Sequence, residues 1–136
     1  MNTRNAMAQY RSVQSRGAVI DASPTRLVQL ALDQILIQLN VVRGCMERIR
    51  ARSEVRDVVD KGTAVGKVNG LMGELAGSLD LARGEGIAQN LLALYSYMMV
   101  RLTLANLNND VAIIDEIANL VREIKTGWDE VVAQGL

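Results

Sequence analysis

Apolar residues recur at intervals of three and four along four segments of the chain, a spacing that places them on one face of an α-helix. The first segment follows Ser23 and Pro24, which favour a helix start. The serine oxygen accepts a hydrogen bond from a first-turn amide, and proline has no amide hydrogen to leave unpaired. A helix is therefore predicted from Pro24 to about Arg52. Its apolar face comprises Val28, Ala31, Leu32, Ile35, Leu39, Val42, Met46 and Ile49.

The second segment predicts a helix from Val55 to Leu81. The stretch from Arg48 to Lys61, which includes the start of this helix, carries mixed charges and predicts a solvent-exposed rim. Its core face comprises Val65, Val68, Met72, Leu75 and Leu79. Five glycines, which we call the glycine seam, lie within about 40° of one direction, roughly opposite that face. They are Gly62, Gly66, Gly70, Gly73 and Gly77. Each costs up to about 1 kcal/mol relative to alanine in a helix. The seam predicts a loosened helix, a closely packed neighbouring helix, or a groove that accepts a partner's backbone.

The third segment, from Ile87 to about Asn106, is apolar around most of its circumference. Its predicted core face comprises Ile87, Leu91, Leu94, Met98 and Ala105. A helix that is apolar nearly all round is expected to be buried nearly all round. We therefore expect another chain or the N-terminal arm to cover it. Arg101, its only charged residue, is predicted to form a structural ion pair.

The fourth segment begins after Asn108, Asn109 and Asp110, which predict a turn and a helix cap. It predicts a helix from Val111 to about Ala133, with Ile114, Ile117, Val121, Ile124, Trp128, Val131 and Val132 on one face. Four amphipathic helices joined by short breaks predict an all-α fold, an antiparallel up-and-down four-helix bundle formed as a single domain by residues 23–136. Residues 1–22 are predicted to be a short, mobile helical arm that docks conditionally through Met7, Tyr10 and Val13.

Composition removes most enzymatic chemistry from the 136-residue chain. It has no histidine, and its single cysteine, Cys45, lies on a helix with apolar periodicity. Without histidine there is no usual general base, no di-iron Glu-x-x-His pair and no partner to activate a cysteine nucleophile. We expect no catalytic residue, metal or cofactor, and no small-molecule substrate. A small helical enzyme that uses only arginine and carboxylates remains a less favoured alternative.

Charge and hydropathy bound the partners and the location. Fifteen basic and fifteen acidic residues cancel, which disfavours nucleic-acid binding. The longest uncharged stretch, Gly86 to Val100, is shorter than the roughly 20 residues that span a bilayer, so no membrane insertion is expected. A lone cysteine and a polar N-terminus without an apolar signal core favour a cytoplasmic protein. The excess apolar surface predicts binding of another polypeptide, and a small homo-oligomeric helical adaptor is the alternative.

Specific residues resemble the bacterial flagellin export chaperones, in order along nearly the whole chain. They include Tyr10, Ala22-Ser23-Pro24, Leu79-Asp80, Gly84, Asn109-Asp110 and Trp128. The most specific part is the run Leu94-Tyr95-x-Tyr97-Met98-x-x-Arg101-Leu102-x-x-Ala105-Asn106. The resemblance implies a cytoplasmic helical bundle that holds the disordered C-terminal segment of newly made flagellin. Such a chaperone prevents premature polymerisation and helps to present flagellin to the flagellar export gate.

The residues predicted to contact the partner combine the resemblance with the surplus apolar surface. They are Tyr10 in the arm, Gly66, Gly70, Gly73 and Gly77 on the glycine seam, and Leu92, Tyr95, Met99, Leu102 and Asn106 on the third helix. Leucine and methionine adapt readily to an apolar partner.

Overall fold

The computed structural model describes residues 23–82 and 86–135, and the described part of the chain is an all-α four-helix bundle. The helices are α1 (Pro24–Arg52), α2 (Val55–Gly77), α3 (Ile87–Asn108) and α4 (Val111–Ala133). The predicted fold class is confirmed. The N-terminal arm, with Tyr10, lies outside the described residues.

Helices α1 and α4 have the bounds predicted from their caps. Ser23 Oγ accepts a hydrogen bond from the Arg26 amide at 3.2 Å, and Pro24 occupies the first turn. A carboxylate oxygen of Asp110 accepts from the amides of Ala112 and Ile113 at the start of α4. Each cap satisfies amides that have no partner within the helix.

Consecutive helices pack side by side, and α4 closes the ring against α1. Arg43 Nε, late in α1, lies 2.8 Å from Asp115 Oδ1, early in α4. Gln29, near the start of α1, donates to Asp129 near the end of α4, also at 2.8 Å. The two helices therefore run antiparallel, and ion pairs of both polarities join them: Arg43 with Asp115, and Asp33 with Lys125.

The core follows the predicted stripes in α1 and α4 more closely than in α2. Helix α2 ends at Gly77 and not at Leu81, because the Leu79 amide bonds to the Ala76 carbonyl, three residues back, and closes the last turn. Leu79, expected in the helical core stripe, lies beyond the helix and is half-buried. The largest fully buried side chains are Leu32, Ile35, Leu39, Val42, Met46, Val68, Met72, Met98, Leu102, Ile114, Ile117 and Val121.

The predicted core face of α3 needs correction. Met98 and Ala105 are buried as expected, but Ile87 is 63% exposed. The remaining buried residues of this helix are Ala88, Tyr95 and Leu102. Since α3 is apolar on almost every side, its sequence offers no polar contrast from which to locate the inner face.

The expectation of a solvent-exposed rim from Arg48 to Lys61 is wrong at two positions of α2. Asp57 and Lys61 are both buried. Arg48 Nε pairs with Asp57 Oδ1 at 2.9 Å, and Lys61 Nζ donates to the Asn106 carbonyl at 3.0 Å. Burial of charged groups is tolerated because each has a partner. We call this end of the bundle, where α1 and α3 finish and α2 and α4 begin, the polar end.

Candidate partner-binding surface

Helix α3 packs against α4 on one side and against α2 on another. Tyr97 Oη donates to Glu116 Oε2 of α4 at 2.7 Å, and Arg101 Nε donates to Glu116 Oε1 at 3.0 Å. These contacts mark the side of α3 that faces α4. Leu92 and Met99 lie about half a turn away around the helix axis, on the side toward α2.

The pair of hydrogen bonds to Glu116 shapes the local electrostatics. Donation by Tyr97 and by Arg101 lowers the pKa of the Glu116 carboxyl, and the bond to that carboxylate raises the pKa of Tyr97. The predicted structural ion pair of Arg101 is confirmed. This contact holds α3 against α4 and is separate from the α2 side of the helix.

Five predicted binding residues of α3 divide between surface and core. Leu92, Met99 and Asn106 are half-buried and lie seven residues apart, so they share the side of α3 that faces α2. Tyr95 and Leu102, expected on the same surface, are buried in the core, 3% and 1% exposed. The reason is the one that applies to Ile87: an all-apolar helix does not reveal which of its sides faces inward.

The glycine seam faces outward from the bundle, opposite the buried residues of α2. Gly62, Gly66 and Gly77 are exposed, and a Cβ atom added at any of them meets no other atom within 4 Å. Gly70 and Gly73 are half-buried. Close packing by a neighbouring helix of the bundle therefore does not account for Gly62, Gly66 or Gly77.

Several large apolar side chains of α2 and α3 are exposed at positions that the sequence pattern did not single out. Val55 and Val59 continue the seam toward the start of α2, at the same spacing of four. Leu107 of α3 lies beside Asn106, the residue whose carbonyl meets Lys61 of α2. Val55 and Leu107 are each 78% exposed. The helical spacing that places Val55 and Val59 in line with the seam could have identified these two residues from the sequence.

These residues lie on two helices that pack against each other, and we call them together the α2/α3 surface. It comprises the glycine seam, Val55, Val59, Leu92, Met99, Asn106 and Leu107. Glycines leave the α2 backbone accessible, and the α3 side chains provide apolar contact. Such a surface suits an extended or helical polypeptide, whose backbone can approach α2 while its apolar side chains pack on α3.

A separate pocket lies at the opposite end of the bundle from the polar end. We call this end, where α1 and α3 begin and α2 and α4 finish, the pocket end. The pocket has a volume of about 480 Å³ and is lined by residues of all four helices, among them Leu27, Leu75, Leu91, Tyr95 and Trp128. Burial raises the pKa of Tyr95 to about 12, so its hydroxyl is neutral at physiological pH.

The described residues contain few features of a catalytic or metal site. Cys45 is buried, and its Sγ accepts a hydrogen bond from Arg48 Nη2 at 3.4 Å. Within residues 23–82 and 86–135, no three acidic, cysteine or histidine side chains meet in a way that could hold a metal ion. In the same ranges no helix is sufficiently long and apolar to cross a membrane.

Comparison with known proteins gives consistent matches over most of the chain. The sequence model of the family described as flagellar protein FliS matches residues 5–135. The flagellar secretion chaperone FliSB of Pseudomonas aeruginosa is 41% identical over 129 residues, which cover 95% of this chain and 97% of the relative. The flagellar secretion chaperone FliS of Salmonella typhimurium is 35% identical over 132 residues, with coverage of 96% and 93%. That of Escherichia coli is 35% identical over 124 residues, with coverage of 89% and 85%.

Proposed function

The chain belongs to the flagellar protein FliS family, and from this premise we propose that it is a cytoplasmic export chaperone that binds the disordered C-terminal segment of flagellin. Bound in this way, flagellin is kept from polymerising before export and is delivered to the flagellar export gate. The relatives are named flagellar secretion chaperones, which implies a protein partner and a role without catalysis. The chain has no small-molecule substrate in this proposal.

The observation that carries the proposal is the exposed apolar side chains along the α2/α3 surface. Val55, Val59 and Leu107 are more than half exposed in the isolated chain. Large apolar side chains left in contact with water on neighbouring helices are typical of an interaction site. Leu92, Met99, Asn106 and the seam glycines are the proposed contacts. Tyr95 and Leu102 support them from inside the bundle.

A disordered partner fits this surface better than a folded one. An extended segment can follow a long, shallow surface and bury much apolar area with little steric demand. The segment becomes ordered only on binding, and the entropic cost of this ordering lowers the affinity obtained from each unit of buried area. A lower affinity favours release at the export gate.

Calorimetry with a peptide of the flagellin C-terminal segment tests the proposal. We expect binding at about one to one with a clearly negative heat-capacity change, because apolar area is buried and the segment becomes ordered. Full-length flagellin and flagellin without this segment provide the matched comparison. Equal affinity of the chaperone for both proteins would contradict the proposal.

Self-association through the α2/α3 surface is the second candidate function, because the same exposed side chains could pack against another copy of the chain. A homo-oligomeric adaptor would show a sedimentation coefficient that rises with concentration in the micromolar range. The chaperone proposal instead predicts a constant value for the free protein. Addition of the flagellin segment would then raise the molar mass obtained from sedimentation by the mass of one peptide.

A further inference from the structure

The pocket at the pocket end contains an unpaired acidic group. Glu74 Oε2 is buried, and no residue in the described part of the chain donates a hydrogen bond to it. The other charged residue of the pocket lining is also acidic, Asp80. A buried carboxylate oxygen without a donor loses its hydration and gains nothing in return. Its environment therefore favours a ligand that brings a hydrogen-bond donor, above all a cation.

The remaining walls of the pocket suit a basic side chain. Tyr95 and Trp128 present aromatic rings, which attract a cation placed over their faces. The Trp128 indole nitrogen already donates to the Thr25 carbonyl at 2.9 Å, so the ring has a fixed position. Leu79 and Leu91 add aliphatic wall that can contact the methylene stem of lysine or arginine.

The pocket is large enough for such a side chain and lies where α2 ends and α3 begins. Its volume of about 480 Å³ is in the range of small-ligand pockets, roughly 300 to 1,000 Å³. Ser78 and Leu91 line it, and they directly adjoin Gly77 and Leu92 at the end of that surface. A polypeptide bound along Gly77 and Leu92 therefore has the pocket within reach of a long side chain.

We propose that the pocket takes one arginine or lysine side chain of the bound partner polypeptide, whose charged group pairs with Glu74 while its stem packs on the apolar walls. The identity of that partner rests on the function proposed above. The chemistry of the pocket does not, because it follows from an unpaired carboxylate beside two aromatic rings.

Substitution of Glu74→Gln tests the ion pair, because it keeps the shape of the side chain and removes the charge. With the flagellin segment as partner, we expect affinity to fall by about fivefold or more. Glu123→Gln is the control: Glu123 is exposed on α4, and no hydrogen bond joins it to another described residue. The control should bind as the unmodified chain does. Unchanged affinity of the Glu74→Gln variant would overturn the proposal.

A series of segments with each arginine or lysine replaced by glutamine identifies the occupant. One replacement should weaken binding to the unmodified chain and have no further effect on the Glu74→Gln variant. Independent, additive losses for every replacement would contradict a direct pair. If the unmodified chain does not bind the segment at all, the proposed function is contradicted. The next experiment then tests by itself whether the pocket takes a basic side chain.

A short peptide probes the pocket without flagellin. Trp128 is the only tryptophan, so its indole N–H gives a single identifiable signal in the NMR spectrum. Acetyl-leucyl-arginine amide should shift this signal in the unmodified chain and not in the Glu74→Gln variant. The matched peptide with citrulline, which is neutral, should shift neither. Equal shifts by both peptides, or none by the arginine peptide, would overturn the proposal.

Thermal melting of the free chain separates a partner's side chain from one of the chain's own. If no cation occupies the pocket in the free protein, Glu74→Gln should leave the melting temperature unchanged or raise it by about 2 to 4 °C. A lower melting temperature would mean that a cation of the chain itself already pairs with Glu74, and it would contradict an occupant supplied by the partner.

Discussion

At the scale of single residues, Asn109 contributes more to the fold than its neighbour Asn108. Asn109 has a left-handed backbone with a φ of 51°. Its side chain donates to the Met46 carbonyl at 3.1 Å and accepts from Lys61 Nζ at 3.3 Å. It thereby joins α1, α2 and the turn before α4, and asparagine tolerates the left-handed conformation better than most residues.

Asn109→Ala should lower the free energy of unfolding by about 2 to 4 kcal/mol, since it removes two hydrogen bonds and leaves a strained backbone. Asn108→Ala is the control, because Asn108 is exposed, and we expect a change within about 0.5 kcal/mol. Urea unfolding followed by circular dichroism measures both. A similar loss in the two variants would show that the network around Asn109 does not stabilise the bundle.

Aspartate substitutions on α3 should separate binding from folding. Met98 is fully buried, so Met98→Asp should cost about 4 kcal/mol or more and unfold the chain. Leu92→Asp and Met99→Asp, on the half-buried side toward α2, should leave a folded bundle with roughly tenfold weaker binding of the flagellin segment.

The control for these variants is Ile37→Asp, which changes an exposed residue of α1, the helix diagonally opposite α3. It should affect neither helix content nor affinity. Circular dichroism and calorimetry on the same samples distinguish the outcomes. Unfolding by all three α3 variants would mean that the side of α3 toward α2 belongs to the core.

Single residues also show where prediction from sequence reached its limit. Met98 and Ala105 were placed correctly, but Tyr95 and Leu102 were not, because leucine, methionine and tyrosine occur on every side of α3. The burial of Asp57 and Lys61 was not predictable from local charge density. It depends on Arg48 and on the Asn106 carbonyl, groups that only the folded chain brings together.

At the scale of elements, the starts of α1 and α4, which carry side-chain caps, were predicted to the residue, whereas the end of α2 was not. Ser23 with Pro24, and Asp110 before α4, mark helix starts by chemistry that is local in sequence. The end of α2 has no such single signal, since several glycines precede Gly77 and all are compatible with a continuing helix. The outward direction of the seam, in contrast, followed from helical periodicity alone.

Gly66→Ala tests the role of the glycine seam. An added methyl group meets no atom within 4 Å, so the free protein should become more stable by up to about 1 kcal/mol. The same methyl group should obstruct a backbone that lies on the seam and weaken binding of the flagellin segment. Thermal melting and calorimetry measure the two effects.

Gly127→Ala is a matched control for that experiment. Gly127 lies within α4, is exposed and has equally open surroundings. It should stabilise the free protein by a similar amount and leave affinity unchanged. If Gly66→Ala also stabilises the protein with undiminished affinity, the partner's backbone does not contact the seam.

At the scale of the whole molecule, the N-terminal arm is predicted to compete with the partner for apolar surface. Met7, Tyr10 and Val13 can cover an apolar patch, but the segment is too short to form a stable helix alone. Deletion of residues 1–16 should therefore raise the association rate of the flagellin segment or promote self-association. Stopped-flow fluorescence of Trp128 and analytical ultracentrifugation measure these effects. Unchanged kinetics together with a monomeric product would contradict the prediction.

The two ends of the bundle differ in which helices are joined by side-chain hydrogen bonds. At the polar end, side chains reach across to main-chain carbonyls of neighbouring helices: Lys61 to Asn106, and Asn109 to Met46. At the other end α4 is joined to α1 in the same way, from Trp128 to the Thr25 carbonyl, while α2 and α3 line an open pocket. Local opening costs least where cross-links between helices are fewest. We therefore expect α2 and α3 to separate first at the pocket end, while the bonds at the polar end keep the helices in register.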